Sequence, residues 1–131
     1  MQEVCDFLKK CDTYYLATVD GKTPKVRPFG TVNIFEGKLY IQTGKKKDVA
    51  KQIAANPKVE ICAYDGEKVW IRVAATLVED NSPAVQESML AAYPMLKNMY
   101  KAGDGNTETY YLKDAVATFY DFGGKPQTVK F

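Results

Sequence analysis

The segment Leu39–Ile61, LYIQTGKKKDVAKQIAANPKVEI, contains a strand pattern, a basic loop, a helix and a second strand in direct succession. Lys38–Thr43 and Val59–Tyr64 have the patterns of strands. Between them, Asp48–Ala55 carries apolar residues at helical spacing, and Asn56-Pro57 ends the helix. The segment therefore predicts a β-rich fold in which a short helix lies between two strands.

Three consecutive lysines, Lys45–Lys47, directly precede this helix. The N-terminus of a helix is the positive end of its dipole, so these cations should repel it unless an anion lies nearby. Asp48 is expected to cap the helix, which would place the lysines in the loop beside its free backbone N–H groups. With the hydroxyl of Thr43, the amines and N–H groups would form a phosphate cradle. The alternative is a loop in which the three lysines are simply solvated.

Strand patterns continue on both sides of this segment, with few helices between them. The predicted strands are Tyr14–Val19, Lys25–Phe35, Lys38–Thr43, Val59–Tyr64, Val69–Val78, Tyr110–Tyr120 and Thr128–Phe131. The predicted helices besides Asp48–Ala55 are Gln2–Lys10, one that starts at Asn81-Ser82-Pro83, and Met95–Lys101. Because closure removes exposed sheet edges, we expect a mainly β fold, an antiparallel sheet curled into a barrel with flanking helices. The first three strands are expected to form a meander.

The composition is typical of one globular domain spanning residues 1–131, with 46% apolar and 26% charged residues. Histidine is absent from the chain. Its absence excludes Ser-His-Asp and Cys-His hydrolases, and zinc or haem sites with histidine ligands. The three cysteines form no C-x-x-C pair, so neither a metal site nor a disulfide framework is suggested. Any chemistry is therefore expected to come from a bound cofactor.

Charge and hydropathy patterns indicate where in the cell the protein is expected and which classes of partner it is expected to bind. The net charge of +2 is too small to indicate a nucleic-acid protein without a concentrated basic patch, and only the lysine run qualifies as one. The first residues, MQEVCDFLKKC, lack the pattern of a signal peptide, and no run approaches the roughly 18 apolar residues of a membrane span. We expect a cytoplasmic protein that binds no membrane and no nucleic acid. Nucleic-acid binding through the lysines is the minor alternative.

Proline interrupts the strand pattern at Val26–Gly30, VRPFG. Pro28 cannot donate a hydrogen bond to a neighbouring strand, so it predicts an edge, a bulge or a point where the sheet opens. Gly30 permits another group to approach the backbone closely. An opened strand that also carries the guanidinium of Arg27 would suit a flat anionic ligand. The alternative is an edge strand with a surface arginine.

The aromatic residues favour packing over ligand binding. Trp70 is the only tryptophan and lies in the apolar strand pattern VWIRVAATL. We expect it in the core or at a dimer interface in preference to a ligand site. The other aromatic residues expected to pack are Tyr110, Tyr111, Phe119, Tyr120 and Phe122.

The order of these features resembles the FMN-binding split-barrel family related to pyridoxamine 5'-phosphate oxidase. The features are the Arg27-Pro28 strand, the hairpin strand that ends in Thr43, the basic loop, the helix closed by Asn56-Pro57, and the strand VWIRVAATLVED. The resemblance covers about Val4–Asp80 and, more loosely, the closing strands. It implies a homodimer of six-stranded antiparallel split β-barrels of Greek-key type, with two FMN molecules in the clefts between subunits.

The resemblance also implies a set of cofactor-binding positions. Those that would line the flavin ring and the ribityl chain are Arg27, Pro28, Phe29, Gly30 and Thr31. Those that would hold the phosphate are Gln42, Thr43, Lys46 and Lys47. Trp70 would reach the flavin of the neighbouring subunit. In this arrangement the phosphate of FMN would be the anion that the lysine run requires.

Two departures from the family pattern limit the implied function. Many relatives carry Ser-x-Lys or Ser-Arg-Lys in the basic loop, where this chain has Lys47-Asp48-Val49. The C-terminal Trp and Arg of pyridoxamine phosphate oxidases have no match in TFYDFGGKPQTVKF. The expected function is therefore an FMN-dependent oxidoreductase that passes electrons between a nicotinamide and a small acceptor, not oxidation of pyridoxamine phosphate. The alternative is a flavin-binding store or redox sensor without turnover.

Overall fold

A computed structural model describes the whole chain, residues 1–131. Its helices are α1 (Gln2–Cys11), α2 (Asp48–Ala55), α3 (Pro83–Ala92) and a short 3-10 helix (Pro94–Asn98). Its strands are β1 (Tyr14–Asp20), β2 (Thr23–Phe29), β3 (Asn33–Phe35), β4 (Lys38–Gly44), β5 (Lys58–Tyr64), β6 (Val69–Glu79), β7 (Thr107–Asp121) and β8 (Gln127–Lys130). No helix is both long enough and apolar enough to cross a membrane.

The strands form one antiparallel sheet in the order β2-β1-β5-β6-β7-β4-β3, with β8 paired to β7. β2 and β3 are two parts of one extended stretch, and only Gly30–Val32 separates them. β2 pairs with β1, while β3 pairs with β4. Both ends of the sheet are therefore formed by the same broken strand, which closes the sheet into a barrel. Counting the broken strand once and β8 as an addition gives six barrel strands.

The architecture confirms the expected mainly β split barrel with flanking helices, and it corrects three details. The expected strand Lys25–Phe35 is broken in two, so the first strands form two separate hairpins in place of a simple meander. Asp48 is not a cap, because α2 begins at Asp48 and Lys47 occupies the N-cap position without a side-chain bond. The expected helix Met95–Lys101 is a shorter 3-10 helix, because Pro94 starts it and it ends at Asn98.

The barrel interior holds a cluster of 21 buried residues. The strands contribute alternate residues to it, as in β5, where Val59, Ile61 and Ala63 are buried and their neighbours are more exposed. One face of α1 packs against this cluster through Val4 and Leu8. The apolar spacing in the sequence therefore corresponds to one continuous core.

Both faces of β4 are buried from Leu39 onward. Ile41 faces the barrel core, whereas Tyr40 packs against Val85 and Met89 of α3. Because side chains alternate along a strand, Gln42 shares the outer face with Tyr40. α3 and the 3-10 helix thus cover β4 from outside and place their residues beside the break between β2 and β3.

Candidate functional site

A cleft of about 200 Å³ opens where the strand break meets the end of β4 and the start of α2. The residues that line it are Arg27, Pro28, Phe29, Gly30, Thr31, Gln42, Thr43, Lys47, Val49, Leu96, Met99 and Tyr100. Eight of the ten cofactor-binding residues expected from the sequence are therefore brought together in one place. The other two, Lys46 and Trp70, do not line this cleft.

Side-chain hydroxyls hold the strand break in a fixed shape. Thr31 Oγ1 accepts from the backbone N–H of Gln42 at 3.0 Å and donates to its carbonyl at 3.3 Å. The hydroxyl of Tyr14 donates to the carbonyl of Thr31 at 2.6 Å. The hydroxyl of Tyr93 accepts from the N–H of Val32 at 3.1 Å and donates to its carbonyl at 3.0 Å. Backbone N–H and C=O groups that have no sheet partner at the break thus form hydrogen bonds with side-chain hydroxyls, which keeps the cleft open.

Gln42 has an unusual environment at the centre of the cleft lining. Its side chain is 5% exposed, yet both Oε1 and Nε2 are buried without a hydrogen-bond partner. A buried polar group without a partner costs roughly 1–3 kcal/mol. Groups of this kind are rare in folded proteins and call for an explanation such as a bound molecule. The amide of Gln42 can donate through Nε2 and accept through Oε1.

Arg27 places an uncompensated positive charge beside the cleft. Its guanidinium donates to Thr18 Oγ1 at 2.7 Å, Gln52 Oε1 at 2.6 Å and the carbonyl of Leu16 at 3.2 Å. Burial lowers the pKa of Arg27, but an arginine remains protonated in proteins. All three acceptors are neutral, and Arg27 forms no ion pair. The site therefore favours an anion nearby.

The lysine turn between β4 and α2 is exposed, and none of its three lysines forms an ion pair. Asn106 holds the turn in place, since its carbonyl accepts from the N–H of Lys45 at 2.7 Å and its Oδ1 accepts from the N–H of Lys46 at 3.3 Å. Lys47 is the lysine that lines the cleft. The turn thus presents one cation, Lys47, to the cleft, whereas Lys45 lines a separate cavity.

The loop that carries Asn106 is organised by one carboxylate. Asp104 accepts from the backbone N–H groups of Lys101 at 2.9 Å, Asn106 at 2.8 Å and Thr107 at 2.7 Å. These bonds hold the pKa of Asp104 well below its ordinary value. The carboxylate therefore braces the lysine turn through Asn106.

Substitution of Asp104 by asparagine is expected to lower the melting temperature at pH 7 by a few degrees. A group whose pKa is depressed in the folded protein stabilises it fully above the unfolded pKa of about 3.9, and this contribution is lost as the pH falls through the folded value. The difference between the parent and Asp104→Asn should therefore shrink at pH 3. Thermal unfolding by circular dichroism at both pH values checks this, and an equal difference at both would contradict it.

The family model for pyridoxamine 5'-phosphate oxidase matches residues 1–121 of this chain. The chain belongs to the pyridoxamine 5'-phosphate oxidase family. A crystal structure of a nimc/nima family protein from Clostridium acetobutylicum is 40% identical, with a TM-score of 0.96, and the match covers 100% of this chain and 92% of that one. No curated protein matches the chain.

More distant members of the fold differ in the ligands that their names state. A pyridoxamine 5'-phosphate oxidase-related, FMN binding protein from Nostoc punctiforme is 16% identical, with a TM-score of 0.63 over 96% of this chain and 90% of that one. A heme binding protein from Mycobacterium smegmatis is 12% identical, with a TM-score of 0.71 over 94% of this chain and 57% of that one. At these identities the likeness shows the split-barrel fold alone.

Trp70 lies apart from the cleft of its own chain within this family fold. Its ring stacks on Tyr120, with centroids 5.3 Å apart, and is tilted against Phe122 at 5.2 Å. Trp70 is partly exposed and does not belong to the buried barrel core. Its role beside a neighbouring subunit's flavin stays a prediction.

Sequence patterns did not point to four residues of the cleft, Val49, Leu96, Met99 and Tyr100. The last three follow α3, about 50 residues after the lysine turn. Only Tyr100 has a counterpart in the sequence, the glycine at position 44. A Cβ at Gly44 would lie 2.8 Å from the hydroxyl of Tyr100. A glycine directly before the basic turn is therefore consistent with a ring packed against it.

Proposed function

We propose that the protein binds FMN in this cleft and passes electrons between a reduced nicotinamide and a small acceptor. The observation that supports FMN best is the buried amide of Gln42, which has no partner within the chain. The ribityl hydroxyls and the ring imide of FMN can each donate and accept, so either would satisfy this amide. Membership of the family and the name of the Nostoc punctiforme neighbour support the same cofactor.

The residues present fit the remaining groups of FMN. Lys47 and the hydroxyl of Thr43 would hold the phosphate, and the positive charge of Arg27 would favour it at a distance. Gly30 is exposed and lacks a side chain, so the flat ring can approach the backbone of the strand break closely. The phosphate would compensate the cations that have no ion pair in the chain.

FMN, when bound, supplies the hydride and electron transfer chemistry, so no histidine is required. The chain contributes binding and orientation. The hydroxyls of Tyr14, Thr31 and Tyr93 hold the backbone that faces the ring. Burial raises the pKa of Tyr14 well above its ordinary value, so this group remains a neutral hydrogen-bond donor at physiological pH.

The proposed assembly is a homodimer in which the second subunit completes the cleft. A volume of about 200 Å³ is below the roughly 300–1,000 Å³ of pockets for drug-sized ligands. FMN would therefore remain partly outside one subunit, where the aromatic group around Trp70 of the partner could cover it. Light scattering coupled to size exclusion should give the mass of a dimer, and a monomer that retains FMN would contradict the assembly.

An absorbance spectrum of the freshly purified protein tests the cofactor. We expect a yellow protein that releases FMN on denaturation, as identified by mass. Colourless protein that binds no added FMN would contradict the proposal. Steady-state oxidation of NADH above the rate of free FMN would support the oxidoreductase, whereas FMN binding without such turnover would support a store or sensor.

Lys47→Ala is expected to weaken FMN binding by about tenfold, since one charge-assisted contact to the phosphate is lost. Lys46→Ala is the matched control, because Lys46 carries the same charge one residue away and does not line the cleft. It should change the dissociation constant by less than about threefold. Quenching of flavin fluorescence during titration measures both, and equal losses would show that Lys46 also binds the phosphate.

A further inference from the structure

The cavity that Lys45 lines has a volume of about 310 Å³ and lies beside α2 and the paired strands β6 and β7. Its apolar side is formed by residues of α2, among them Ile53, and by Leu77 of β6. Two lysines, two glutamates and a tyrosine supply its polar groups. None of its lining residues belongs to the cleft at the strand break. The cavity is therefore a separate site, with a volume in the range of pockets for small molecules.

Glu108 brings a buried carboxylate to this cavity. The residue is 5% exposed, and no cation of the chain forms an ion pair with it. Its Oε1 accepts from Asn81 Nδ2 at 3.2 Å, which is a neutral donor. Buried charges in proteins are normally paired with an opposite charge, because removing an ion from water is costly. The charge of Glu108 therefore lacks a counter-charge, and the cavity beside it has room for one.

Glu79 places a second carboxylate beside the first. Nδ2 of Asn81 also donates to Glu79 Oε1, at 2.8 Å, so one amide group holds both carboxylates. The orientation of this amide is fixed, since its Oδ1 accepts from the backbone N–H of Thr109 at 2.9 Å. Burial raises the pKa of the Tyr110 hydroxyl, and the nearby charges of Glu108 and Glu79 raise it further. Like charges held side by side repel each other, and a cation in the cavity would relieve this repulsion.

Two lysines line the cavity as well. Lys45 and Lys51 are exposed, and neither forms an ion pair with either glutamate. The lining thus carries two positive and two negative charges that do not neutralise one another at contact distance. A simple cation would be attracted by the glutamates but repelled by the lysines, and a simple anion would meet the reverse. A molecule that carries both charges would be attracted by both pairs.

We propose that this cavity binds a small zwitterion, an amino acid with an apolar side chain, at a site separate from that of FMN. The ammonium group of the ligand lies against the two glutamates, and its carboxylate faces the two lysines. Its side chain packs on the apolar side of the cavity, against Ile53 and Leu77. The contact with Glu108 sets the orientation, since this carboxylate is held by burial whereas lysine side chains are long and flexible.

Three probes with the same side chain test the requirement for both charges. Leucine carries both, isoamylamine carries only the ammonium group, and 4-methylpentanoate carries only the carboxylate. Each is titrated into the purified protein by calorimetry and by NMR of ¹³C-labelled leucine and isoleucine methyl groups. We expect leucine to bind at least about tenfold more tightly than either singly charged probe. It should shift the methyl signals of Ile53 and Leu77 but not those of Leu96, which lines the cleft at the strand break.

Glu108→Gln removes the buried charge and keeps an oxygen that can accept from Asn81. It should weaken leucine binding by at least about tenfold, because the charge-assisted contact with the ammonium group is lost. It should also raise the melting temperature of the ligand-free protein, because a buried charge without a counter-charge is costly. Glu87→Gln is the matched control, since Glu87 is exposed and does not line the cavity, and it should change neither quantity.

The double substitution Lys45→Gln with Lys51→Gln tests the other half of the site. Leucine should bind more weakly and isoamylamine more tightly, so that the preference between them falls by at least about threefold. Lys46→Gln is the control for surface charge, because Lys46 is exposed on the same turn but does not line the cavity. It should leave the preference unchanged.

Failure of leucine to bind, or tighter binding of either singly charged probe, would overturn this site. A lower melting temperature for Glu108→Gln would also overturn it, because a group of the chain would then already compensate the buried carboxylate. Methyl shifts at Leu96 in place of Leu77 would mean that leucine binds in the other cleft, with the same consequence. Colourless protein that binds leucine but no FMN would contradict the proposed function and leave the amino-acid site intact.

Discussion

Gln42→Met is expected to stabilise the FMN-free protein by about 1–2 kcal/mol while weakening FMN binding about tenfold to a hundredfold. Methionine has nearly the same volume and shape as glutamine, so packing between β4 and the covering helices is kept. The substitution removes two buried polar atoms that have no partner in the free protein, which lowers the cost of folding. It also removes the donor and acceptor that the proposed ligand would satisfy. The substitution is thus expected to raise stability and to lower FMN affinity. Few substitutions at a purely structural position would change these two quantities in opposite directions.

Gln86 is the matched control for this experiment. It is also buried, at 3% exposure, but its amide is fully bonded. Nε2 donates to the carbonyl of Thr107 at 2.8 Å and to Asn81 Oδ1 at 3.2 Å, and Oε1 accepts from the N–H of Gly103 at 2.8 Å. Gln86→Met should therefore destabilise the protein by about 1–3 kcal/mol. Because Gln86 does not line the cleft, the fluorescence titration should show little change in FMN affinity.

Urea unfolding of the FMN-free proteins measures the stability changes, and flavin titration measures the affinities. If Gln42→Met destabilised the protein as Gln86→Met does, the amide of Gln42 would have to be bonded in the free state. If it left FMN binding unchanged, Gln42 would not contact the cofactor. Either result would remove the main support for FMN in this cleft.

Local patterns of apolar residues were sufficient to predict most of the helices and strands, because such patterns reflect the burial of one face of each element. The alternation in β5 and the helical spacing in α2 both correspond to residues of the barrel core. Pro28 and Gly30 correctly indicated that their strand opens. The pairing of its two halves with different strands, β2 with β1 and β3 with β4, was not foreseen, because the pattern of Lys25–Phe35 is typical of one continuous strand.

The candidate site was predicted where its residues are neighbours in sequence. Arg27 to Thr31, and Gln42 with Thr43, lie in two short segments that the resemblance covers. The cleft residues Leu96, Met99 and Tyr100 were missed because their spacing is equally typical of ordinary packing. The burial of the Gln42 amide depends on tertiary contacts that no local sequence pattern encodes. The start of α2 at Asp48 leaves Lys47 as the lysine that lines the cleft.

Arg27→Ala is expected to reduce both stability and FMN affinity, in contrast to Gln42→Met. The guanidinium satisfies the carbonyl of Leu16 and the side chains of Thr18 and Gln52, so its loss leaves partly buried acceptors unpaired. We expect a loss of about 2–3 kcal/mol in the free energy of unfolding. Loss of the positive charge that favours the phosphate at a distance, together with the disturbance of β2 where it lines the cleft, should add a decrease of roughly a hundredfold in FMN affinity.

Arg27→Lys separates the two contributions of this residue. Lysine keeps the charge, but one ammonium cannot reproduce the geometry of a guanidinium that bonds three acceptors on β1 and α2. FMN affinity should therefore recover by at least about tenfold relative to Arg27→Ala, whereas less than half of the lost stability should return. An affinity for FMN that followed stability in parallel across both variants would mean that Arg27 acts on the cofactor only by holding β1, β2 and α2 together. Its charge would then have no part in attracting the phosphate.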